Sequence, residues 1–451
     1  MLTSRRLAVL ALMAVIGTGC GGRPTAETNA PSQPRSSDLL PGTAAPTSGE
    51  RQPVTGTITV WTIVQGDDEV SIKAYEKAFE AQNPDADVKI IVIPEDAYEP
   101  KITTSLRAGN VPDVALLEPD IAATMKAGRW VDLTPHLEAW DVNPADFNQG
   151  GLARGMIEAD PSKGIYAIGD FLAGNVLVHN AKLFAAAGVQ PPPVDRSLTY
   201  QEYDQICRAV GRPDPNPAAA IFGCSVPDWG FLFSPVFGPD GRQALGNMNS
   251  PQVVQAFQIG AALINDGYAP GAGLLDTLGE SDLFAQGRIA LTWTDFTEVD
   301  KYRENGIEFG LSPFYVIEGQ PDYVDVFTAA WGAMRDSSNP EGALAFIRFI
   351  ATDAQRIRAQ VSPDPPLSTN VAAEIHYGEG DPIKQQYLEV LKLAPPPEFV
   401  PPGVDAWDPA EVMRLLTVEG RTDAQAILDK MAAASQVELD RAWEQWESLG
   451  T

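Results

Sequence analysis

The stretch TITVWTIVQGDDEVSIKAYEKAFEAQNPDADVKIIVI, residues 57–93, changes its apolar period twice. Residues 57–64 are β-branched and bounded by Gly56 and Gly66, which predicts a buried strand. Residues 71–82 put Ile72, Tyr75, Ala78 and Phe79 on one face, which predicts a helix. Residues 88–93 return to a strand. The alternation continues outward, with a helix over 98–109 that has Pro100 early and Gly109 as its stop. A third strand follows over 113–118 and a short helix over 120–128. Strands alternating with helices imply an α/β fold, with parallel sheets and right-handed crossovers.

Further along, residues 164–193 read as a strand, a helix ending at Gly188 and a Pro-rich loop. Helical stretches dominate 199–290, and strands return over 289–296, 307–314 and 326–334. Asn339 caps a helix with Pro340 at its first position, and its apolar face is Ala343, Phe346, Ile347 and Ile350. The last hundred or so residues are helices broken by APPPEFVPPG, residues 394–403. The chain of 451 residues exceeds one usual core, so two lobes are expected.

The chain start has a different character. Arg5 and Arg6 precede a short apolar run, Leu7 to Ile16, which is the layout of a secretory signal and too short to span a bilayer. The same arginines loosely match a twin-arginine signal. Small residues Thr18 and Gly19 then precede Cys20. This junction resembles the lipobox of bacterial lipoproteins, in which the cysteine thiol takes a diacylglycerol. The match departs at Gly17, where the lipobox carries an aliphatic residue. Residues 21–55 are rich in Pro, Ser, Thr, Gly and Ala, and cannot bury enough apolar surface to offset ordering entropy. The expected organisation is a signal peptide over 1–19 and a lipid attachment point with a disordered tether over 20–55. The body is then exported and anchored at the outer face of the cytoplasmic membrane or in the periplasm.

Net charge of −28 argues against nucleic acid and anionic membrane surfaces as ligands. Beyond Cys20 only Cys207 and Cys224 remain, and in an exported chain they read as one disulfide or as two buried thiols. The three histidines, His136, His179 and His376, have no ligand-like spacing, so no metal site and no cofactor is expected. GLSPF at 310–314 is not a nucleophile elbow, and no Gly-rich phosphate loop occurs.

In open α/β sheets, ligands sit outside the carboxyl ends of the strands. The first strand delivers Trp61 and Gln65 to that edge, and the third delivers Glu118 and Asp120.

At this point the chain resembles the extracellular solute-binding proteins of ABC importers, family 1, the maltose-binding-like group. The likeness rests on five segments in family order: AFEAQNPDADVKI; ITTSLRAGNVPDVALLEPDIAATMKAGRWVDLTPHL; GIYAIGDFLAGNVLVHNAKLFAAAGV; GRIALTWTDF; and TAAWGAMRDSSNPEGALAFIRFIAT. It implies two α/β lobes joined by three crossings, with ligand in the cleft between them. The N-terminal lobe is expected over 56–168 plus 305–350, and the C-terminal lobe over 169–304 plus 351–451. The resemblance places Trp61, Trp229, Trp293 and Trp331 in the cleft, the alternative for each being a partly buried core aromatic. Asp170, Phe171 and Asp295 join Glu118 and Asp120 there, the carboxylates alternatively capping helices. Gly169 and Asp170 stand where the family carries Pro and Tyr.

Aromatic faces and carboxylates are the groups that bind sugars, so the implied function is a monomeric lipoprotein. It would bind a mono- or oligosaccharide and present it to an ABC permease. The same groups would serve an amine, a polyamine or a polyol. A carboxylate pair such as Glu118 with Asp295 would, at the right separation, also cleave a glycosidic bond.

Overall fold

The computed structural model describes residues 53–63, 67–118, 121–226, 236–369, 377–395 and 398–449. The leader, Cys20 and most of the tether lie outside them, as do Gln65, Asp120, Trp229 and His376. In chain order the strands are β1 (Gly56–Thr62), β2 (Ala86–Val92), β3 (Val114–Leu117), β4 (Ile168–Gly169), β5 (Ala173–Asn180) and β6 (Leu198–Thr199). They continue as β7 (Leu291–Thr294), β8 (Phe309–Ser312), β9 (Tyr315–Val316), β10 (Asp325–Phe327) and β11 (Ala330–Ala333).

The opening βαβ reading holds. β1 pairs in parallel with β2 and with β3. Helix Asp67–Gln82 lies between β1 and β2 in the chain, and Tyr75 and Phe79 from it enter the first core. The next helix starts at Glu95, earlier than the proline suggests, because Glu95 and Asp96 suit the positive end of the helix dipole; Pro100 therefore lies inside it. It stops at Gly109, whose left-handed φ of 67° favours glycine. The side chain of Asn339 accepts the backbone N–H of Gly342 and so caps helix Pro340–Ala351.

Two sheets result, the first in the order β2-β1-β3-β11-β4 and the second built on β5 with β7, β8 and β10 as partners. Every pairing made by β5 is antiparallel; among the described strands, parallel pairing occurs in the β1–β3 part of the first sheet and in the small β6–β9 pair.

The strand expected over 326–334 is two strands in different sheets, β10 pairing with β5 and β11 with β3 and β4. Residues 309–312 and 325–327, expected with the first lobe, hydrogen-bond to the second sheet, because the chain crosses at Thr328–Ala329. Helix Asp353–Val361, expected with the second lobe, buries Ala354 and Ala359 in the first core.

Cys207, on helix Tyr200–Val210, is joined to Cys224 as a disulfide with their Cα atoms 5.2 Å apart. Gly223 sits against the Cys207 backbone, where a Cβ would lie 1.8 Å from the carbonyl oxygen, so the loop closes only with glycine there. No described helix is long and apolar enough to cross a membrane.

Candidate functional site

Two short links carry the chain between the sheets. Residues 170–172 connect β4 to β5, and residues 328–329 connect β10 to β11. The links run side by side, because Ala330 pairs with Gly169 on one side and Phe327 with Ala173 on the other. Gly169 fits because Thr328 is close: a Cβ there would stand 2.0 Å from the Thr328 hydroxyl oxygen. That contact explains why a glycine replaces the larger residue suggested by resemblance. A further segment lies alongside, with Phe171 bridged to Pro366 and the Leu172 N–H donating to the Pro365 carbonyl.

The register fixes which side chains gather at this junction. Ala330 pairs with both Leu117 and Gly169, so Glu118 and Asp170 leave the first sheet at one level. In the second sheet Thr294 pairs with Val176, which brings Asp295 to the facing edge. The carboxyl ends of β1 and β3 are tied by Tyr98, whose hydroxyl donates to the carbonyls of Leu116 at 2.7 Å and Trp61 at 3.4 Å.

Three residues assigned to the cleft wall from sequence turn out to be interior. Asp170 and Trp331 are each 2% exposed, and Phe171 is buried. The Asp170 carboxylate accepts the Trp331 indole N–H at 3.1 Å on Oδ1 and the Tyr75 hydroxyl at 2.9 Å on Oδ2. The Arg358 guanidinium stands 3.7 Å from Asp170 Oδ2 and 3.3 Å from Asp364 Oδ2. It also lies 4.3 Å from the Phe171 ring centroid. A buried carboxylate needs such partners, and here they hold the inter-sheet link together. Burial, and then the Asp170 charge, push the Tyr75 phenol well above its usual range, so it donates at every relevant pH.

The other described candidates are half-buried. Trp61 packs partly against the first core, and Lys101 Nζ stands 4.4 Å above its ring. Glu118 is half-buried at the end of β3. Trp293 packs partly against the second core. Asp295 accepts the Thr297 N–H at 3.1 Å and its hydroxyl at 2.6 Å, a local turn that fixes the carboxylate's direction. Next to it, buried Phe296 holds φ at 76°, a region costly for a non-glycine residue. It is held there by stacking on Tyr387, with centroids 4.3 Å apart. The Tyr387 hydroxyl in turn donates to the Gly174 carbonyl at 3.0 Å, which ties this turn to the start of β5.

Two basic groups here escaped the sequence reading. Lys101 is one. The other is Arg154, whose guanidinium donates to the Val326 carbonyl at 3.0 Å and lies 4.0 Å from Asp325. Asp325 also accepts the buried Asn175 amide at 2.6 Å. No spacing signal could have found Arg154, because its partners are 172 residues away in the chain. Among the described residues no group of three or more His, Cys, Asp or Glu could hold a metal ion.

Comparison with known proteins gives a consistent picture. The family model of bacterial extracellular solute-binding proteins matches residues 66–357. Among solved structures, the sugar-binding protein MalE from Xanthomonas citri superposes with a TM-score of 0.69 at 16% identity, over 87% of this chain and 100% of that one. The ABC substrate-binding protein Lmo0181 from Listeria monocytogenes, in complex with cycloalternan, gives 0.63 at 19% identity, over 87% and 100%. UgpB from Mycobacterium tuberculosis, in complex with glycerophosphocholine, gives 0.66 at 18% identity, over 86% and 99%. No curated protein sequence matches the chain.

Proposed function

The chain belongs to the bacterial extracellular solute-binding proteins, and from that premise we propose that it captures a neutral, hydroxyl-rich ligand, a mono- or oligosaccharide, between its two sheets. It releases the ligand unaltered to an ABC permease. The observation that carries this reading is that both sheets carry half-buried aromatics and carboxylates at or near strand ends: Trp61 and Glu118 in the first, Trp293 and Asp295 in the second. An aromatic face covers the C–H surface of a sugar ring, while a carboxylate accepts two of its hydroxyls. The amine reading is weaker because Lys101 already holds the cation position over Trp61, and a cationic ligand would have to displace it. Structural relatives with MalE-like and cycloalternan-bound descriptions support the sugar reading. The glycerophosphocholine complex shows that the fold also accommodates another polar solute class in a relative.

The test is isothermal titration against a panel of sugars, polyols and amines. Losing one stacking face is expected to cost about 1–3 kcal/mol, by analogy with bases stacked on aromatic side chains. A carboxylate bonded to two hydroxyls is worth a similar amount. Trp61→Ala and Glu118→Ala should each weaken binding roughly tenfold or more, with the melting temperature of the empty protein little changed. Binding of an amine and of no sugar would overturn the ligand class. Unchanged affinity in both variants would overturn the site.

We also infer that Cys20 is the point of lipid attachment and that residues 21–55 tether the body to a membrane, on the strength of the signal layout and the polar, Pro-rich composition that follows. Cys20→Ser should move the protein from the membrane fraction to the soluble fraction. Mass spectrometry of the mature N-terminus decides the matter, since a mature chain without an acyl group at Cys20 sinks the inference.

A further inference from the structure

The family match ends at residue 357, yet the chain continues through a long helix, Ala424–Ser448, that is built into both bodies. Its first turns bury Ala424, Ile427 and Leu428 in the second core. Its last turns bury Trp443 and Trp446 in a separate apolar cluster that also takes in Ala123 and Ile157 from the first body. Trp443 is held on the second-body side: its indole N–H donates to the Gly241 carbonyl at 2.7 Å, and Arg242 stands 3.7 Å from its ring centroid. Trp446, 2% exposed, faces the other way. Its indole N–H donates to Glu158 Oε1 at 2.8 Å, and Lys126 Nζ stands 4.8 Å above its ring. Lys126 and Glu158 are themselves paired at 3.4 Å. Phe399 fills the remaining edge, its ring centroid 4.8 Å from that of Trp446.

The receiving end is itself specialised. Glu158 and Ala159 are consecutive non-glycine residues with φ of 56° and 54°, a conformation that persists only where surrounding contacts fix it. Lys163 is a second cation on Glu158. Burial would raise the Glu158 carboxyl, but the hydrogen bonds from Lys163 and Trp446 outweigh it and hold the group below the usual carboxylate range. The receiving helix, Ala122–Lys126, follows closely on Glu118 at the end of β3, so the contact sits close in the chain to the candidate ligand edge.

We propose that the end of the chain is a clasp between the two bodies: Trp446, seated between Lys126 and Glu158, restrains their hinge opening and thereby sets how far apart they stand before ligand arrives. The links at 170–172 and 328–329 join the bodies, and a further bridge between the bodies restricts motion about those links. The state populated in the absence of ligand fixes the fraction competent to bind, and with it the apparent affinity. The clasp requires two bodies and does not depend on what the ligand is.

The experiment measures inter-body distance directly. The full chain carries Cys20→Ser and spin labels on Lys89→Cys and Lys182→Cys, two exposed positions on β2 and on helix Ala181–Ala187. With the Cys207–Cys224 disulfide closed, only the introduced thiols react. Pulsed electron–electron resonance on the ligand-free protein should give a narrow distribution for the parent. Trp446→Ala and Lys126→Ala should each broaden it and shift its mean to longer separations. Lys126→Ala removes one side of the clasp without opening a core cavity, so it decides the matter if Trp446→Ala fails to fold. A folded Lys126→Ala protein that keeps the parent distribution overturns the proposal, as does a folded Trp446→Ala protein that does so.

Discussion

Asp170→Ala is expected to lower the unfolding free energy by about 3–5 kcal/mol, the range for breaking a buried charge pair by removing one partner. The expectation rests on what the carboxylate holds. Without it the Arg358 guanidinium, 1% exposed, loses an anionic partner, and the Tyr75 hydroxyl and the Trp331 indole N–H lose the carboxylate that accepts from them. Each of those donors is left in a site that water does not reach, so the desolvation cost is no longer offset. Asp170→Asn should cost less, because the amide oxygen still accepts one of the two hydrogen bonds. Urea unfolding followed by tryptophan fluorescence gives both numbers. Equal and small losses for the two variants would show that the charge is dispensable and that the link is held by β4–β11 pairing alone.

Acid should also weaken the fold, through His179. This ring lies in β5, edge-on to Phe184 with centroids 5.3 Å apart, and burial depresses its pKa from 6.5 to about 4. A group whose pKa is lowered on folding binds protons more readily when unfolded. Its contribution is therefore fully present above pH 6.5 and is lost as the pH falls towards about 4. The loss amounts to about 2 kcal/mol between pH 7 and pH 5 and about 3 kcal/mol by pH 4. His136, buried with no hydrogen-bond partner on either ring nitrogen, is lowered by burial too and acts in the same direction. Asp113 adds to the trend at lower pH. Burial would raise its carboxyl, but donors from Ser337, Thr59 and Asn339 outweigh that and hold it below the usual range. Unfolding free energies measured at several pH values should rise with pH across this window, and His179→Gln should flatten the slope. A stability that is level from pH 7 to about 4.5 would refute the assignment.

Local signals made much of the first sheet legible from sequence. β-branched runs marked β1 and β2, Gly109 and Gly188 marked helix stops through their left-handed φ, and Asn339 with Pro340 marked a helix start. These are short-range effects, and short-range effects are what a sequence displays. The division of residues 326–334 between two sheets was not legible, since a continuous apolar run looks the same whether or not the chain changes sheet at Thr328. The candidate residues could be chosen from sequence by type, and their exposure only in part. Glu118 and Asp295 are half-buried, whereas Asp170 is buried against Arg358, Tyr75 and Trp331, partners that no spacing rule connects to it. The Trp446 contact joins residues 288 positions apart and so left no local trace either.

β11 lies between β3 and β4, although in the chain it comes after every strand of the second sheet. Order of synthesis and order of assembly are thereby opposed. A nascent polypeptide that has emerged only as far as Phe327 carries β1 to β4 without the strand that joins β3 to β4, so both present unpaired edges. The amino-terminal half cannot be completed as a unit while the rest is still being made, unlike chains whose domains close one after another on the ribosome. The long sequence separation of the final pairing makes it slow to form. Until Ala333 is available the first sheet therefore has no finished form.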